Sequence, residues 1–200
     1  MQLILASDIL GDYLTRSPVI DYDDQAIRQT AHRLSAGARS DAEIIRSCYE
    51  FVRDEISHTF DIGADEVTCA ASGVLRCGHG TCYAKSHLLA AILRYLGVPA
   101  GFCYQRLRDA DSPSGYALHG LNAVYFSSLD LWVRLDARGN KPYANVRFDP
   151  GSDVLAYQID ESLGESEDPG VYASPAESVI RALTMSANVK TLSRSLPDAY

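Results

Sequence analysis

Cys77-Gly78-His79-Gly80-Thr81-Cys82-Tyr83-Ala84 runs straight into Lys85-Ser86-His87-Leu88-Leu89-Ala90-Ala91-Ile92-Leu93-Arg94-Tyr95-Leu96, and the reading of this passage decides the fold. The first part is a Gly-rich turn. The second places Ala84, Leu88, Ala91, Ile92 and Leu96 on one helical stripe, and Gly97 with Pro99 marks its stop. The spacing predicts a helix over 82–96 that opens at Cys82. A thiol is a useful nucleophile only as thiolate, and a helix N-terminus favours that form, because partial positive charge and unpaired N–H groups point at the sulfur.

Downstream, the stretches 101–107, 119–126 and 131–135 are β-rich, with Asp109 to Gly115 as a polar loop and Ser127-Ser128-Leu129-Asp130 as a hairpin turn. This places His119 and Asp136 at the ends of adjacent antiparallel strands. The order Cys82, His119, Asp136 has a chemical logic. An imidazole can hold a thiolate as an ion pair and later protonate a leaving group, and a carboxylate on its other nitrogen fixes tautomer and orientation. Upstream, Ala26, Ile27, Ala31 and Leu34 predict a helix from Asp23 to about Gly37, capped by Asp23 or Asp24. Ser40-Asp41-Ala42-Glu43 reads as a capping box for a second helix ending near Glu55, with Ile44, Ile45, Cys48, Phe51 and Val52 on its apolar face. Ile56 to Phe60 reads as a short strand, and Asp61 to Gly73 as a loop. Beyond Asp149-Pro150-Gly151 the pattern weakens, and Glu161 to Gly170 is acidic and polar. Ser174-Pro175-Ala176-Glu177 then reads as a capping box with Pro at the first helical position, ahead of Val179, Ile180 and Leu183. The last dozen residues are expected to be loosely held or to pack on the domain.

Two hundred residues fit a single domain, 1–200, with a core at about 40–150 and helical extensions at both ends. A net charge of −8 and the lack of any Lys/Arg-rich run exclude a nucleic-acid surface built on phosphate neutralisation. Ordinary solubility accounts for the acidity. Met1 to Asp8 lacks the basic start of a signal peptide, and Asp8 interrupts an apolar run too short to span a bilayer, so the expected location is cytoplasmic, with no membrane partner. The five cysteines are odd in number and irregularly spaced, which suits reduced thiols.

These motifs resemble a known family. Gly80-Thr81-Cys82-Tyr83-Ala84, the exit Leu96-Gly97-Val98-Pro99-Ala100, and the segments Leu118 to Phe126 and Leu131 to Asp136 are similar to the Cys, His and Asp segments of the transglutaminase-like (papain-like) superfamily. The resemblance covers roughly residues 44–150 and is closest to small bacterial members described as cysteine proteases. It implies an α+β papain-like, transglutaminase-core fold, with the nucleophile helix packed on an antiparallel sheet. It also implies Cys82 as nucleophile, His119 as base and acid, and Asp136 as orienter. Two departures bear on the substrate: His119-Gly120-Leu121 stands where the family often has His-Ala-Trp, and Tyr83-Ala84-Lys85 where an acidic residue often follows the cysteine. No dense carboxylate loop implies calcium.

The expected reaction is acyl transfer from a peptide or small amide substrate through a thioester, with hydrolysis favoured over transamidation and no cofactor. Rival readings are a catalytically silent binding module, an arylamine-type N-acetyltransferase, and a zinc-stabilised domain using Cys77, His79, Cys82 and His87. The zinc spacing lacks the tight Cys-x2-Cys knuckle, and no metal is expected. His79 is a candidate for the substrate entrance and His58 for a second oxyanion donor beside the N–H of Cys82. Trp132 and Tyr125 read as core or substrate wall, Gln105 and Arg106 as polar rim. The oligomeric state is not legible.

Overall fold

The computed structural model describes residues 1–139 and 145–200. Asp24 caps helix α1 (Gln25–Ser35), accepting from the N–H groups of Ala26 and Ile27. Ile27 and Ala31 face the core, whereas Ala26 is exposed. Ser40 caps α2 (Asp41–Asp54) through Glu43 N–H, but the Glu43 carboxylate reaches back to Arg39 N–H rather than to the cap residue itself. Ile45, Cys48, Tyr49 and Val52 are the buried face of α2.

The expected strand over 56–60 shrinks to β2 (Ser57–His58), and the expected loop over 61–73 ends in a helix, α3 (Ala71–Cys77). Gly78 ends that helix at φ 70°, a left-handed conformation that glycine adopts without a Cβ penalty. Strand β3 (His79–Gly80) then pairs in parallel with β2. The Gly-rich passage is therefore a helix stop, a short strand and a helix start in succession. Thr81 caps α4 (Cys82–Tyr95), its hydroxyl accepting from Ala84 N–H.

Helix α4 is buried on nearly every side from Tyr83 to Arg94, rather than along one stripe. It lies among α1, α2 and α3 and against the sheet. The sheet has the order β6-β5-β4-β7 and is antiparallel throughout, comprising β4 (Ala100–Arg108), β5 (Tyr116–Phe126), β6 (Leu131–Leu135) and β7 (Ser166–Glu167). The hairpin turn between β5 and β6 holds Asp130 at φ 52°. Strand β7 falls in the acidic stretch where no strand is expected, as does β8 (Gly170–Val171), which pairs with β1 (Ile4–Leu5). Helix α5 (Glu177–Met185) begins later than the expected capping box: Ala176 is its cap position, with no side-chain cap bond, and Ser174 and Pro175 precede it. Asn188 caps a final short helix, α6 (Val189–Ser193). Mixed helices on an antiparallel sheet are the α+β architecture expected from the sequence. Among the described residues no helix is long and apolar enough to cross a membrane.

Candidate active site

Strand pairing explains where the three candidate residues meet. Strand β6 pairs with β5 from Phe126↔Leu131 only as far as Asn122↔Leu135. The chain leaves β6 at Asp136, while β5 extends back to Tyr116, so His119 lies inside its strand rather than at the end. Asp136 thus turns toward a stretch of β5 that β6 no longer covers. Its Oδ2 lies 2.8 Å from His119 Nε2. The same carboxylate accepts from Ala156 N–H at 2.9 Å and Arg138 N–H at 3.0 Å. Asp136 is fully buried and His119 is 4% exposed.

Burial alone would disfavour both charges, yet the pair offsets it. The carboxylate, the hydrogen bond to it and the nearby Cys82 sulfur hold the His119 imidazolium well above the usual histidine range, against the cost of burial. Burial pushes Asp136 up, but His119 and the two backbone donors outweigh it and hold the carboxyl low. With Nε2 turned to Asp136, Nδ1 is the other ring nitrogen, and Cys82 lies near enough to help hold the imidazolium. The Tyr157 ring meets the imidazole edge-on, 4.9 Å away.

Cys82, His119 and His58 line one cleft of about 410 Å³ together with Arg138, Tyr157 and Leu196. Cys82 is half-buried at the first residue of α4. The β2–β3 pairing places His58 opposite Gly80, two residues before Cys82. His58 is 8% exposed, and its Nδ1 lacks a hydrogen-bond partner, with Asp61 Oδ1 3.9 Å away. Burial, then the charge of Arg138, keep it neutral well below the ordinary histidine range. Arg138 itself is held by Asp61 in a two-pronged ion pair at 2.6 and 2.9 Å and by the Tyr157 hydroxyl at 3.2 Å. Nothing in the sequence singled out Arg138 or Tyr157, whose partners lie far along the chain.

The two departures from the family pattern prove to be one packing solution. A Cβ on residue 120 would come within 2.8 Å of the Tyr83 ring, so Gly120 makes room for Tyr83, whose hydroxyl donates to the Leu118 carbonyl. Lys85 does not face the cleft. It is buried, its ammonium donating to the carbonyls of Ile56, Arg138 and Arg53 at 2.5, 3.2 and 3.3 Å. Burial lowers its pKa to about 8.

The structure also places the remaining candidates. His79 is buried with Nδ1 3.2 Å from Thr59 Oγ1, because β3 turns it away from the cleft. Cys77 points to Glu66 and His87 to the Cys69 carbonyl, so the Cys77, His79, Cys82, His87 set does not converge, and no metal-holding group of His, Cys, Asp and Glu occurs among the described residues. Gln105 is 1% exposed and donates to Glu167, since β7 covers β4 there; it is not a rim residue. Trp132 packs on Tyr13 and Tyr125, away from the cleft.

Known structures share this architecture. A protein of Cytophaga hutchinsonii named a putative cysteine protease superposes with a TM-score of 0.53 at 15% identity, over 66% of this chain and 43% of that one. A structure named a TGase gives 0.50 at 15% identity, over 79% of this chain and 44% of that one. The chain thus spans less than half the length of either, and at such identity the likeness is one of fold. No curated protein sequence matches it. The family model described as the transglutaminase-like superfamily matches residues 28–137, more than half of the chain and all three candidate residues, and the chain belongs to that superfamily.

Proposed function

We propose that this protein cleaves amides by acyl transfer to Cys82, with His119 and Asp136 completing the catalytic group and water as the favoured acceptor. The observation that carries the reading is the buried 2.8 Å contact of His119 Nε2 with Asp136, in one cleft with a cysteine at a helix start. Membership of the superfamily supports cysteine-based acyl transfer in general; the substrate and the choice of acceptor are this proposal's own.

The Cys82 sulfur attacks the amide carbonyl, and the N–H groups of the first turn of α4, which have no partner within the helix, receive the oxyanion. His119 gives its proton to the departing amine, leaving a thioester on Cys82. Water, deprotonated by His119, then releases the acid and restores the thiol. Asp136 stays ionised throughout and keeps Nε2–H pointing at itself, so that Nδ1 serves the sulfur. His58, neutral and facing the same cleft, is suited to donate a hydrogen bond to the oxyanion without bringing a charge.

The deciding experiment is iodoacetamide alkylation across pH on native protein, read cysteine by cysteine by peptide mass spectrometry. The four other cysteines are an internal control, since burial holds Cys48, Cys69 and Cys103 up and Glu66 helps hold Cys77 up. Labelling of Cys82 ahead of all four in weak acid, lost in His119→Asn, is the expected result. Equal labelling with and without His119 would remove the ion pair from the mechanism. Release of free acid from a peptide amide in the presence of a labelled amine, with little amide exchange, is expected for hydrolysis; predominant exchange would reassign the acceptor.

A further inference from the structure

Because β6 stops pairing at Asn122, the edge of β5 beside His119 is open to another strand. That edge is already occupied. Leu118, the residue before His119, gives its carbonyl to the Tyr83 hydroxyl and its N–H to the Pro197 carbonyl at 2.7 Å. Leu196, next to that proline, is among the residues lining the cleft with Cys82. The segment carrying both is tied down on either side of the cleft. At its start, Val189 N–H donates to the Asp65 carbonyl, in the loop that follows β2. At its end, the Ala199 carbonyl accepts from Ser178 Oγ at 2.8 Å, and the Tyr200 ring stacks on Tyr104 with centroids 5.9 Å apart at 14°. The chain over 189–200 is therefore held to the loop after β2 at one end and to β5, β4 and α5 at the other, with Leu196 lining the cleft between.

An extended peptide binds beside a strand by exchanging backbone hydrogen bonds with its edge, and such an edge must be free. Here the Leu118 N–H, beside His119, is already taken by the protein's own carbonyl. We propose that Leu196 and Pro197 are specificity-determining residues: they deny β5 to an extended polypeptide and restrict the cleft to compact amides, either small molecules or the amide at the end of a chain. This rests on the acyl-transfer reading above and narrows it to a substrate class. Displacing the strap requires giving up the Leu118–Pro197 bond and the Ser178–Ala199 bond and exposing Leu196, a barrier that a small amide does not meet.

The test compares two alkylating agents on the full chain: iodoacetamide, which needs only the sulfur, and a tetrapeptidyl chloromethyl ketone, which must lie along the cleft. Two variants are used. Leu196→Ala shortens the side chain that lines the cleft, and Ser178→Ala/Tyr200→Ala releases the anchors of the strap at one half-buried and one exposed position. In both, the rate of Cys82 modification by the peptidyl reagent should rise about tenfold relative to that by iodoacetamide, and in the anchor variant, where a hydrogen bond of the strap is lost, the iodoacetamide rate itself stays at the parent value. The exchange rate of the Leu118 amide proton should rise in the anchor variant. An unchanged ratio of the two rates in both variants, or a parent protein as reactive toward the peptidyl reagent as the variants, overturns the strap and leaves the acyl-transfer reading standing. A Cys82 inert to iodoacetamide in every protein overturns both.

Discussion

The two ends of β5 behave differently although they form one continuous strand. From Asn122 to Phe126 it is a core strand beside β6, and as far as Val124 beside β4 as well, with Asn122 fully buried and its amide donating to the carbonyls of Ser86 and Gly101. From Tyr116 to Gly120 it keeps β4 on one side, and on the other meets Tyr83, Ser86, Pro197 and, through His119, Asp136. The difference is made by where β6 ends. A strand of five residues beside one of eleven leaves backbone and side-chain groups at one end free for chemistry, while the rest anchors them. Rigidity comes from the paired end, and the other end carries the candidate residues.

Substitutions at the two ends should therefore separate turnover from stability. The largest effect is expected for His119→Asn or Cys82→Ala, where turnover should fall by about 10⁶-fold with the fold intact; circular dichroism and a peptide-amide assay together check this. Asp136→Asn should lower turnover by about 10⁴-fold, because an asparagine at this position favours the wrong imidazole tautomer. Turnover close to the parent value there would mean that another group orients the ring.

Gly120→Ala and Asn122→Ala sharpen the contrast. The new Cβ at 120 must displace the Tyr83 ring, and with it the first turn of α4, so turnover should drop about 10²-fold for a shift of under an ångström. Removing the Asn122 amide should instead cost about 2 kcal/mol in urea unfolding, by leaving buried carbonyls short of a donor, with turnover nearly unchanged. If Asn122→Ala impairs turnover as strongly as Gly120→Ala, the two ends are not separable.

A separate effect, on stability alone, concerns acid. His87 packs against Phe102, its pKa lowered to about 4 by burial, while the unfolded side chain titrates near 6.5. Between these values the unfolded chain binds more protons than the folded one, so the contribution of His87 is complete above about pH 6.5 and is lost as pH falls toward 4. The loss is on the order of 3 kcal/mol, and His87→Gln should remove it from the pH dependence of the urea midpoint. Asp136, held below the usual carboxylate range, contributes its own loss only at lower pH still. A midpoint that falls equally in His87→Gln would point to His58, which burial also keeps neutral.

The region from Ser40 to Asp136 was largely legible because its signals are local. Ser40 and Thr81 cap the helices that follow them, Gly97 takes φ 76° after α4, and the apolar runs of β4 to β6 have strand length. Where reading failed, pairing partners far along the chain decided the structure. Short strands such as β7 and β8 carry no periodicity of their own and exist because β4 and β1 offer them an edge. Helix α3 was masked by Gly73 and by a cap position, Ala70, without a capping side chain. Gln105 looked like a rim residue because nothing near it announces Glu167. Within the site, Cys82, His119 and Asp136 were visible as a chemical sequence, whereas Arg138, Tyr157 and Leu196 belong to it only through the fold. Lys85 was misread for the same reason, since its partners lie 29, 32 and 53 residues away.

An ammonium group has three protons to give, and Lys85 spends them on three carbonyls drawn from α2, from the approach to β2 and from the turn after Asp136. The neutral amine has only two. As pH rises through about 8, one of those three chain segments loses its donor on α4, and two of the three lie beside His58 and Asp136. If the proposed activity holds, the alkaline limb of its rate profile should therefore follow Lys85, a residue that does not face the cleft. Lys85→Arg, which keeps its charge at any working pH, would move that limb while leaving the one governed by His119 where it was.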